Sequence, residues 1–197
     1  MNCALVLAAG ESTRMGQQKV ILPYGNTTIV GHIVSVLHAS QVDWIGVVTG
    51  YRPDAVGAAL EGGPAKLIHN ACYAEGMLSS IRAGLRALPQ EVRNVLVALG
   101  DQPAIDSSLV NELLSLVRDK PGALAVPRFG ARRGHPLLFS AGYIPEVLTD
   151  FEVEGLRGLL ARHADKVIEF PATNDGVLQN VDTPEDYAKL VWKQDTT

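Results

Sequence analysis

The sequence has few cysteines, no excess of basic residues and no long apolar run. Its two cysteines, Cys3 and Cys72, have a spacing that matches no metal or disulfide framework. Lysine and arginine number 17 against 21 aspartate and glutamate, and this mild acidity argues against a nucleic-acid partner, which a basic surface would bind. No apolar run approaches the roughly 20 residues of a membrane span, and no basic stretch precedes the first apolar run. We therefore expect a cytoplasmic protein without disulfides or a membrane segment.

Short apolar strands alternate with amphipathic helices along the whole sequence of 197 residues. Strands are predicted at residues 3–7, 95–99 and 177–181, among others, and the continuous apolar run 95–99 is typical of a strand buried on both faces. Without repeats or a dividing linker, the pattern predicts one domain over residues 1–197. It is an α/β domain with a mostly parallel sheet and helices on both faces. Ligands of such sheets bind beyond the carboxyl ends of the strands.

The stretch LVLAAGESTRMGQQK, residues 5–19, begins as an apolar strand and continues as a loop of small and polar residues. It lacks the three glycines of a dinucleotide fingerprint, since only Gly10 and Gly16 occur. A P-loop requires a second glycine five positions after the first and a lysine directly after that second glycine. This stretch lacks a glycine at that position. Two interpretations remain: a longer loop whose backbone N–H groups, with Arg14 and Lys19, bind a triphosphate, or an ordinary loop with two surface cations.

Two aspartates are expected at the same edge of the sheet. Asp101 directly follows the strand 95–99, and Asp182 follows the predicted strand 177–181. Mg²⁺ is commonly bound by one or two carboxylates together with substrate phosphates, so the two side chains are expected to approach one common point. Without metal, their charges should repel each other. The alternative for Asp101 is an N-cap of the next helix, although Asp106 can fill that role.

Five motifs together resemble one protein family. LAAGESTRMGQQK, HNACYAEGMLSSIRAGL, LGDQP, GHPLLF and NVDTPEDY follow one another in the order found in nucleotidyltransferases related to the molybdenum-cofactor cytidylyltransferase. The resemblance extends from residue 5 to residue 187. It implies a Rossmann-like nucleotidyltransferase fold that uses a nucleoside triphosphate and Mg²⁺, and it favours the triphosphate interpretation of the first loop.

The resemblance also implies roles for individual residues. Catalytic roles fall to Arg14, Lys19 and Asp101, metal binding to Asp101 and Asp182, and acceptor binding to Gly134 and His135. The nucleotide-binding residues are Leu7, Ala8, Ala9, Gly10, Arg14, Lys19, Gly76, Ser79 and Ser80.

The role of the two serines stays undecided, one residue departs from the family pattern, and two arginines lie outside it. The two serines also fit a helix N-cap, by either hydroxyl. Asn180 departs from the family pattern D-x-D-T-P-E-D and leaves Asp182 as the better metal ligand. Arg132 and Arg133 lie outside the recognised motifs, and a solvated loop accounts for them.

The predicted reaction is transfer of CMP from CTP to a phosphorylated acceptor, with release of pyrophosphate. The family implies molybdopterin or the molybdenum cofactor as acceptor. CTP is favoured over GTP because guanylyl-transferring relatives tend to carry two glycines where this sequence has Ala9 and Gly10. The alternatives are GTP as donor, a sugar or alditol phosphate as acceptor, and a non-catalytic carrier of the cofactor. Transient contact with a target molybdoenzyme is also expected.

Overall fold

The fold is described by a computed structural model that covers residues 1–195, with side chains for residues 1–192. The strands are β1 Asn2–Ala8, β2 Pro23–Tyr24, β3 Thr27–Thr28, β4 Trp44–Thr49, β5 Lys66–His69, β6 Asn94–Leu99, β7 Leu124–Phe129, β8 Arg132–Arg133, β9 Leu137–Ser140 and β10 Val167–Pro171. The helices are α1 Ile29–His38, α2 Pro53–Ala59, α3 Met77–Arg86, α4 Ser107–Val117, α5 Ile144–Thr149, α6 Leu156–Arg162 and α7 Pro184–Asp195.

One large sheet carries the fold, with its strands in the order β10, β7, β9, β6, β1, β4, β5. β1 lies between β4 and β6 and is parallel to both, with Leu7 beside Val48 on one side and Leu99 on the other. β9 is antiparallel to both β6 and β7, and the short β8 pairs with β7. The predicted α/β fold with a mostly parallel sheet is confirmed, and the register brings the carboxyl ends of β1, β4 and β6 to one edge.

Helices cover both faces of the sheet, as predicted. On one face the core includes Ile33 of α1 and Leu113 of α4, which pack against alternate residues of the strands. On the other face it includes Ile81 of α3 and Leu159 of α6. The β6 residues 95–99 are all buried, which agrees with the continuous apolar pattern of this segment.

The predicted strand at residues 177–181 is wrong. Asp175–Leu178 forms a short 3₁₀ helix, in which the Asn174 side chain accepts a hydrogen bond from the Gly176 N–H. The backbone N–H of Val181 donates to the carbonyl of Asp101 at 2.9 Å, across the end of β6. The segment therefore crosses the edge of the sheet instead of extending it, because a local turn and this bond satisfy its polar backbone groups.

Candidate active site

A cavity of about 360 Å³ opens at the carboxyl ends of β1 and β6. The two strand ends are held together there by the Gly100 N–H, which donates to the Leu7 carbonyl at 2.9 Å. A Cβ at position 100 would lie 2.7 Å from that carbonyl oxygen, so the close approach requires glycine. Several predicted nucleotide-binding and metal-binding residues line the cavity: Leu7, Ala8, Ala9, Gly10, Arg14, Lys19, Gly76, Ser80, Asp101 and Asp182.

The loop after β1 turns back on itself so that Lys19 re-enters the cavity. Ser12 and Gly16 have positive φ angles of 57° and 67°, which produce two sharp changes of direction. The Ser12 hydroxyl accepts a hydrogen bond from the Lys19 N–H at 3.1 Å. Next to Lys19, the buried Gln18 donates its amide to the Tyr51 carbonyl at 2.9 Å. These bonds anchor the end of the loop and fix the position at which the Lys19 side chain begins.

The ammonium group of Lys19 lies between the two predicted metal ligands. Its Nζ donates to Asp182 Oδ1 at 2.7 Å and also to Asp101 Oδ2. The Lys19 side chain is 16% exposed, so this cluster is largely screened from solvent. Arg14 lies at the rim, 73% exposed, with its guanidinium 3.8 Å from Asp182. The two carboxylates thus approach one common point, as predicted, but a positive charge holds them there and replaces the expected repulsion.

The Lys19 contact also changes the acidity of Asp182. The hydrogen bond from Lys19 is the largest cause that lowers the pKa of this carboxyl group, and the Arg14 charge and a hydrogen bond from Asn180 contribute less. Partial burial acts in the opposite direction. Asp182 is therefore ionised under physiological conditions and available as an acceptor of cations.

The backbone around each carboxylate is fixed locally. Asp106, not Asp101, caps α4, since its side chain accepts the Leu109 N–H at 2.7 Å. This leaves Asp101 without a capping role. After Asp182, the Thr183 hydroxyl accepts the Asp186 N–H at 3.2 Å, while the Asp186 carboxylate accepts the N–H groups of Asp182 and Thr183. Such a reciprocal cap fixes the start of α7 and with it the direction of Asp182.

The opposite wall of the cavity is the start of α3. Gly76 has a φ of 105° and is the N-cap residue, and neither Ser79 nor Ser80 caps the helix. Instead the buried Asn70 side chain donates to the hydroxyls of Ser79 at 2.9 Å and Ser80 at 3.0 Å. Ser79 also donates towards the carbonyls of Cys72 and Gly76, so it stabilises the loop and does not line the cavity. Ser80 does line it, with the free N–H groups of the first turn close by.

Neither of the two predicted acceptor-binding residues, Gly134 and His135, lines the cavity. Gly134 is buried against Val177, whose carbonyl oxygen would be 2.3 Å from a Cβ at this position. The His135 N–H donates to the same carbonyl at 3.0 Å. Burial lowers the pKa of the His135 imidazole, the nearby Asp101 carboxylate raises it and the Arg157 cation lowers it. His135 is therefore neutral at physiological pH and lies within electrostatic range of Asp101 and Arg157.

The arginines of the preceding hairpin face away from this site. Arg128 and Arg133 both pair with Glu169 of β10, at 2.7 and 2.8 Å. Arg132 and Arg133 are exposed, as a solvated segment would be, but they form the short strand β8 rather than the predicted loop. These ion pairs brace the hairpin against the edge of the sheet.

Comparison with known proteins places this architecture in one family. Residues 4–167 match the MobA-like NTP transferase domain. The molybdenum cofactor cytidylyltransferase of Escherichia coli K12 is 31% identical over 187 residues, which cover 93% of this chain and 92% of the relative. The chain belongs to the MobA-like NTP transferase family. The nicotine blue oxidoreductase of Paenarthrobacter nicotinovorans is also similar, at 29% identity over 95% of each chain.

Solved structures support the same fold for this MobA-like transferase. The crystal structure of Rv0371c from Mycobacterium tuberculosis H37Rv has a TM-score of 0.83 and 27% identity, and covers 97% of each chain. A manganese complex of that protein has a TM-score of 0.79 and 26% identity, and covers 97% of this chain and 98% of that one. The chain is accordingly a nucleotidyltransferase of this family, which typically uses divalent metals. Among residues 1–195, no helix is both long and apolar enough to cross a bilayer.

The donor set of the MobA-like site fits a hard divalent cation with few protein ligands. The carboxylates of Asp101 and Asp182 flank one point that already holds a cationic group. Within the part of the chain whose side chains are described, no cluster of three or more histidine, cysteine, aspartate or glutamate residues could hold a metal. Two carboxylates suit Mg²⁺, which keeps several waters and takes further oxygens from substrate phosphates.

Sequence reasoning missed several residues of this region. Tyr73 and Met77 line the cavity, and Met77 is exposed despite being apolar. Their positions in HNACYAEGMLSS, next to the predicted Gly76, could have indicated them. Gln102 directly follows Asp101 in the motif LGDQP and is almost fully buried, but no role for it was predicted from the sequence. Arg157 lies far from the recognised motifs, and only the packing of α6 brings it near His135.

Proposed function

We propose that the protein transfers CMP from CTP to a phosphorylated acceptor, with molybdopterin or the molybdenum cofactor as that acceptor, and releases pyrophosphate. The observation that carries the proposal is the position of Lys19, whose ammonium contacts both carboxylates at the carboxyl edge of the sheet. An ordinary loop with surface cations would leave Lys19 solvated. Here a lysine and two carboxylates converge in a cavity lined by the glycine loop, which is a set of charges suited to a triphosphate bound together with a divalent cation.

The nucleotide would lie between the loop after β1 and the start of α3. Backbone N–H groups of residues 9–14 and the first turn of α3 offer hydrogen bonds to phosphate oxygens, and the helix N-terminus favours their negative charge. Gly10 has no atom within 4 Å of the place where a Cβ would stand, so phosphate has room to approach the backbone there. Arg14, at the rim, would add a planar pair of donors.

The chemical step needs no strong base. An anionic oxygen of the acceptor phosphate attacks the α-phosphorus of CTP and forms a new P–O bond, while the bond between the α-phosphorus and the bridging oxygen breaks and pyrophosphate leaves. Since the nucleophile is already ionised, catalysis depends on positioning and on neutralising the charge of the phosphates. Lys19 would stabilise that charge when its ammonium moves from the carboxylates to the phosphate oxygens. Asp101 and Asp182 would then hold Mg²⁺, which supplies further positive charge to the phosphates when bound.

The acceptor side is supported by position and charge. The His135 imidazole lies within electrostatic range of Asp101 and of the exposed cation of Arg157. A phosphate-bearing acceptor fits this neighbourhood, and the E. coli relative, by its name, acts on the molybdenum cofactor. The proposed protein is cytoplasmic and consists of one domain over residues 1–197. It would deliver its product to a target molybdoenzyme through transient contact.

Nucleotide binding is the first test of the proposal. The melting temperature should be measured with Mg²⁺ and CTP, GTP or ATP at equal concentrations, and CTP should raise it most. A ligand at about 100 times its dissociation constant stabilises a protein by about 2.7 kcal/mol, which a thermal shift detects easily. A larger shift with GTP would contradict the choice of nucleotide and leave nucleotidyl transfer intact.

The acceptor needs a second assay. Pyrophosphate release should be followed with molybdopterin, with a sugar phosphate and with an alditol phosphate, each with CTP and Mg²⁺. Release that depends on molybdopterin supports the proposal, and release with another phosphate would change the acceptor. Binding of CTP with no release in any mixture would favour a carrier. Because one relative is named an oxidoreductase, NADPH belongs in the thermal-shift panel, where a shift larger than that with CTP would contradict a transferase.

A further inference from the structure

One residue, Tyr51, is hydrogen-bonded to both ends of the loop after β1. Its backbone N–H donates to the carbonyl of Ala9 at 3.1 Å, directly after β1. Its own carbonyl accepts the side-chain amide of Gln18 at 2.9 Å, one residue before Lys19. Tyr51 follows β4, and every residue of β4 pairs with β1 in the sheet. The two ends of the loop are therefore held together by a residue whose position the sheet determines.

The same junction contacts the opposite wall of the cavity. A Cβ at Gly50 would lie 2.4 Å from the Cβ of Tyr73 and 2.9 Å from the carbonyl oxygen of Ala9, so Tyr73 packs directly on this backbone. Tyr73 lines the cavity and precedes α3. The backbone after β4 thus lies between the loop and the opposite wall. A displacement of the loop from Tyr51 would change the width of the cavity.

Apart from its bond to Tyr51, the amide of Gln18 is unfavourable for stability. The side chain is 1% exposed, and its Oε1 is buried without a hydrogen-bond partner in the part of the chain that the structure describes. A buried acceptor without a partner costs free energy, and a methionine of similar length would avoid that cost. The bond to Tyr51 is therefore the feature that glutamine provides here and methionine would not.

We infer that Gln18 is a positioning residue, which fastens the end of the loop to Tyr51 so that the Lys19 ammonium reaches the two carboxylates of the cavity. Lys19 directly follows the fastened residue, and its backbone N–H donates to the Ser12 hydroxyl within the same loop. Both bonds fix the point from which the long side chain of Lys19 extends. The inference rests on the proposed function, in which Lys19 stabilises the charge of the phosphates.

Steady-state kinetics of Gln18→Met tests this role, since the variant keeps the length of the side chain and removes the donor. With CTP, Mg²⁺ and molybdopterin, we expect kcat to fall on the order of tenfold, because a misplacement of about 1 Å can cost about a hundredfold. The KM for molybdopterin should stay at the parental value. The melting temperature should also stay parental, because the lost bond and the relief of the unpaired Oε1 offset each other. Should Gln18→Met fail to fold, Gln18→Leu removes the same donor.

Removal of Lys19 shows whether Gln18 acts through it. In a double-mutant cycle, Gln18→Met should lower kcat no further in the Lys19→Ala background, because no ammonium is left to position. Multiplicative losses would overturn the inference, since Gln18 would then act on another part of the site.

The reactivity of the Lys19 amine reports its position without any nucleotide. The protein alone should be treated with a low concentration of acetic anhydride, and acetylation of each lysine quantified by peptide mass spectrometry. In the parent, Lys19 is 16% exposed and bonded to two carboxylates, so it should react more slowly than Lys166, which is 56% exposed. Gln18→Met should raise the rate at Lys19 several-fold and leave the rate at Lys166 unchanged. A parental rate at Lys19 would overturn the inference.

Ser40→Ala is the matched control, because the Ser40 hydroxyl also donates to a backbone carbonyl, that of Leu37, but before the amino end of β4. It should change neither kcat nor the acetylation of Lys19. A parental kcat in Gln18→Met, with or without a lower melting temperature, would mean that the bond is purely structural and would overturn the inference. Failure of the proposed function looks different: the parent itself would release no pyrophosphate with CTP, while acetylation would still report whether Gln18 positions Lys19.

Discussion

The region that we propose to bind the nucleotide and the region that we propose to bind the acceptor, called the nucleotide side and the acceptor side below, differ in how completely their charges are paired. On the nucleotide side, Lys19 contacts both Asp101 and Asp182, and the backbone on either side of these residues is fixed by caps and short hydrogen bonds. On the acceptor side, His135 is neutral and Arg157 is an exposed cation with no ion-pair partner among the described side chains. The charges of the proposed nucleotide side are thus paired in the absence of a ligand, whereas the proposed acceptor side has an exposed cation that an anionic ligand would neutralise.

This difference indicates how a site for a polyanionic ligand can remain stable without that ligand. Two carboxylates close together would repel each other, and Lys19 offsets that repulsion in the absence of metal. Under the proposed function, the same ammonium would become available for phosphate when a divalent cation took its place. The nucleotide side would then exchange one cation for another, and the acceptor side would have no such exchange.

The largest effect should come from removing the shared cation. Lys19→Ala should reduce kcat on the order of a hundredfold or more, because a donor to the transition-state charge is lost. Its affinity for Mn²⁺ should be equal to or higher than that of the parent, because the competing ammonium is gone. Steady-state kinetics and Mn²⁺ titration measure the two effects separately.

The matched control for Lys19→Ala is Lys166→Ala, which removes an exposed lysine near Asp165. It should leave both quantities unchanged. An unchanged kcat in Lys19→Ala would mean that the loop after β1 does not hold the triphosphate.

A smaller and non-additive effect is expected for the carboxylates. Asp101→Asn and Asp182→Asn should each lose metal-dependent turnover by tens of fold, and the double variant should be scarcely worse than either, because residues that act as one unit are not additive. The measurement is kcat as a function of Mg²⁺ concentration for the three variants. Asp106→Asn, at the cap of α4, is the control and should retain turnover. Independent, multiplicative losses would contradict a shared metal site.

The nucleotide side could largely be predicted from the sequence, because its residues follow strands. Asp101 and the loop after β1 reach the same edge in a parallel sheet with this order, so the pattern of strands and helices was sufficient to place them there, while their roles were predicted from the family resemblance. The secondary structure of the segment before Asp182 was harder to predict. Its apolar residues predicted a strand, yet the Asn174 turn and the bond from Val181 to Asp101 place it across the edge of the sheet.

The acceptor side was much less predictable, because it depends on contacts between distant segments. Arg157 approaches His135 only when α6 packs on the sheet, and no local pattern reports that packing. The serine motif was ambiguous for a similar reason. Whether Ser79 and Ser80 cap α3 depends on Asn70, which competes for both hydroxyls. The position of Lys19 between two carboxylates was likewise beyond sequence reasoning, since 163 positions separate it from Asp182.

On the acceptor side, removal of the free cation should have a moderate and selective effect. Arg157→Ala should raise the KM for the phosphorylated acceptor about tenfold, which corresponds to one hydrogen bond to a charged group, and leave the KM for CTP unchanged. Arg132→Ala on the exposed strand β8 is the matched control. Equal increases in both KM values would contradict the separation of the two sides.

The smallest effect concerns stability and pH. Because the folded-state pKa of Asp182 is lowered, chiefly by Lys19, its ionised form contributes stability above the unfolded value of about 3.9. That contribution is lost as the pH falls through the folded pKa. The difference in free energy of unfolding between the parent and Asp182→Asn should therefore be largest near neutral pH and shrink below about pH 4. Urea unfolding at pH 7 and pH 3 measures it, with Asp165→Asn as an exposed control. A difference independent of pH would mean that Lys19 does not stabilise the charge of Asp182, and the nucleotide side would then be no better paired than the acceptor side.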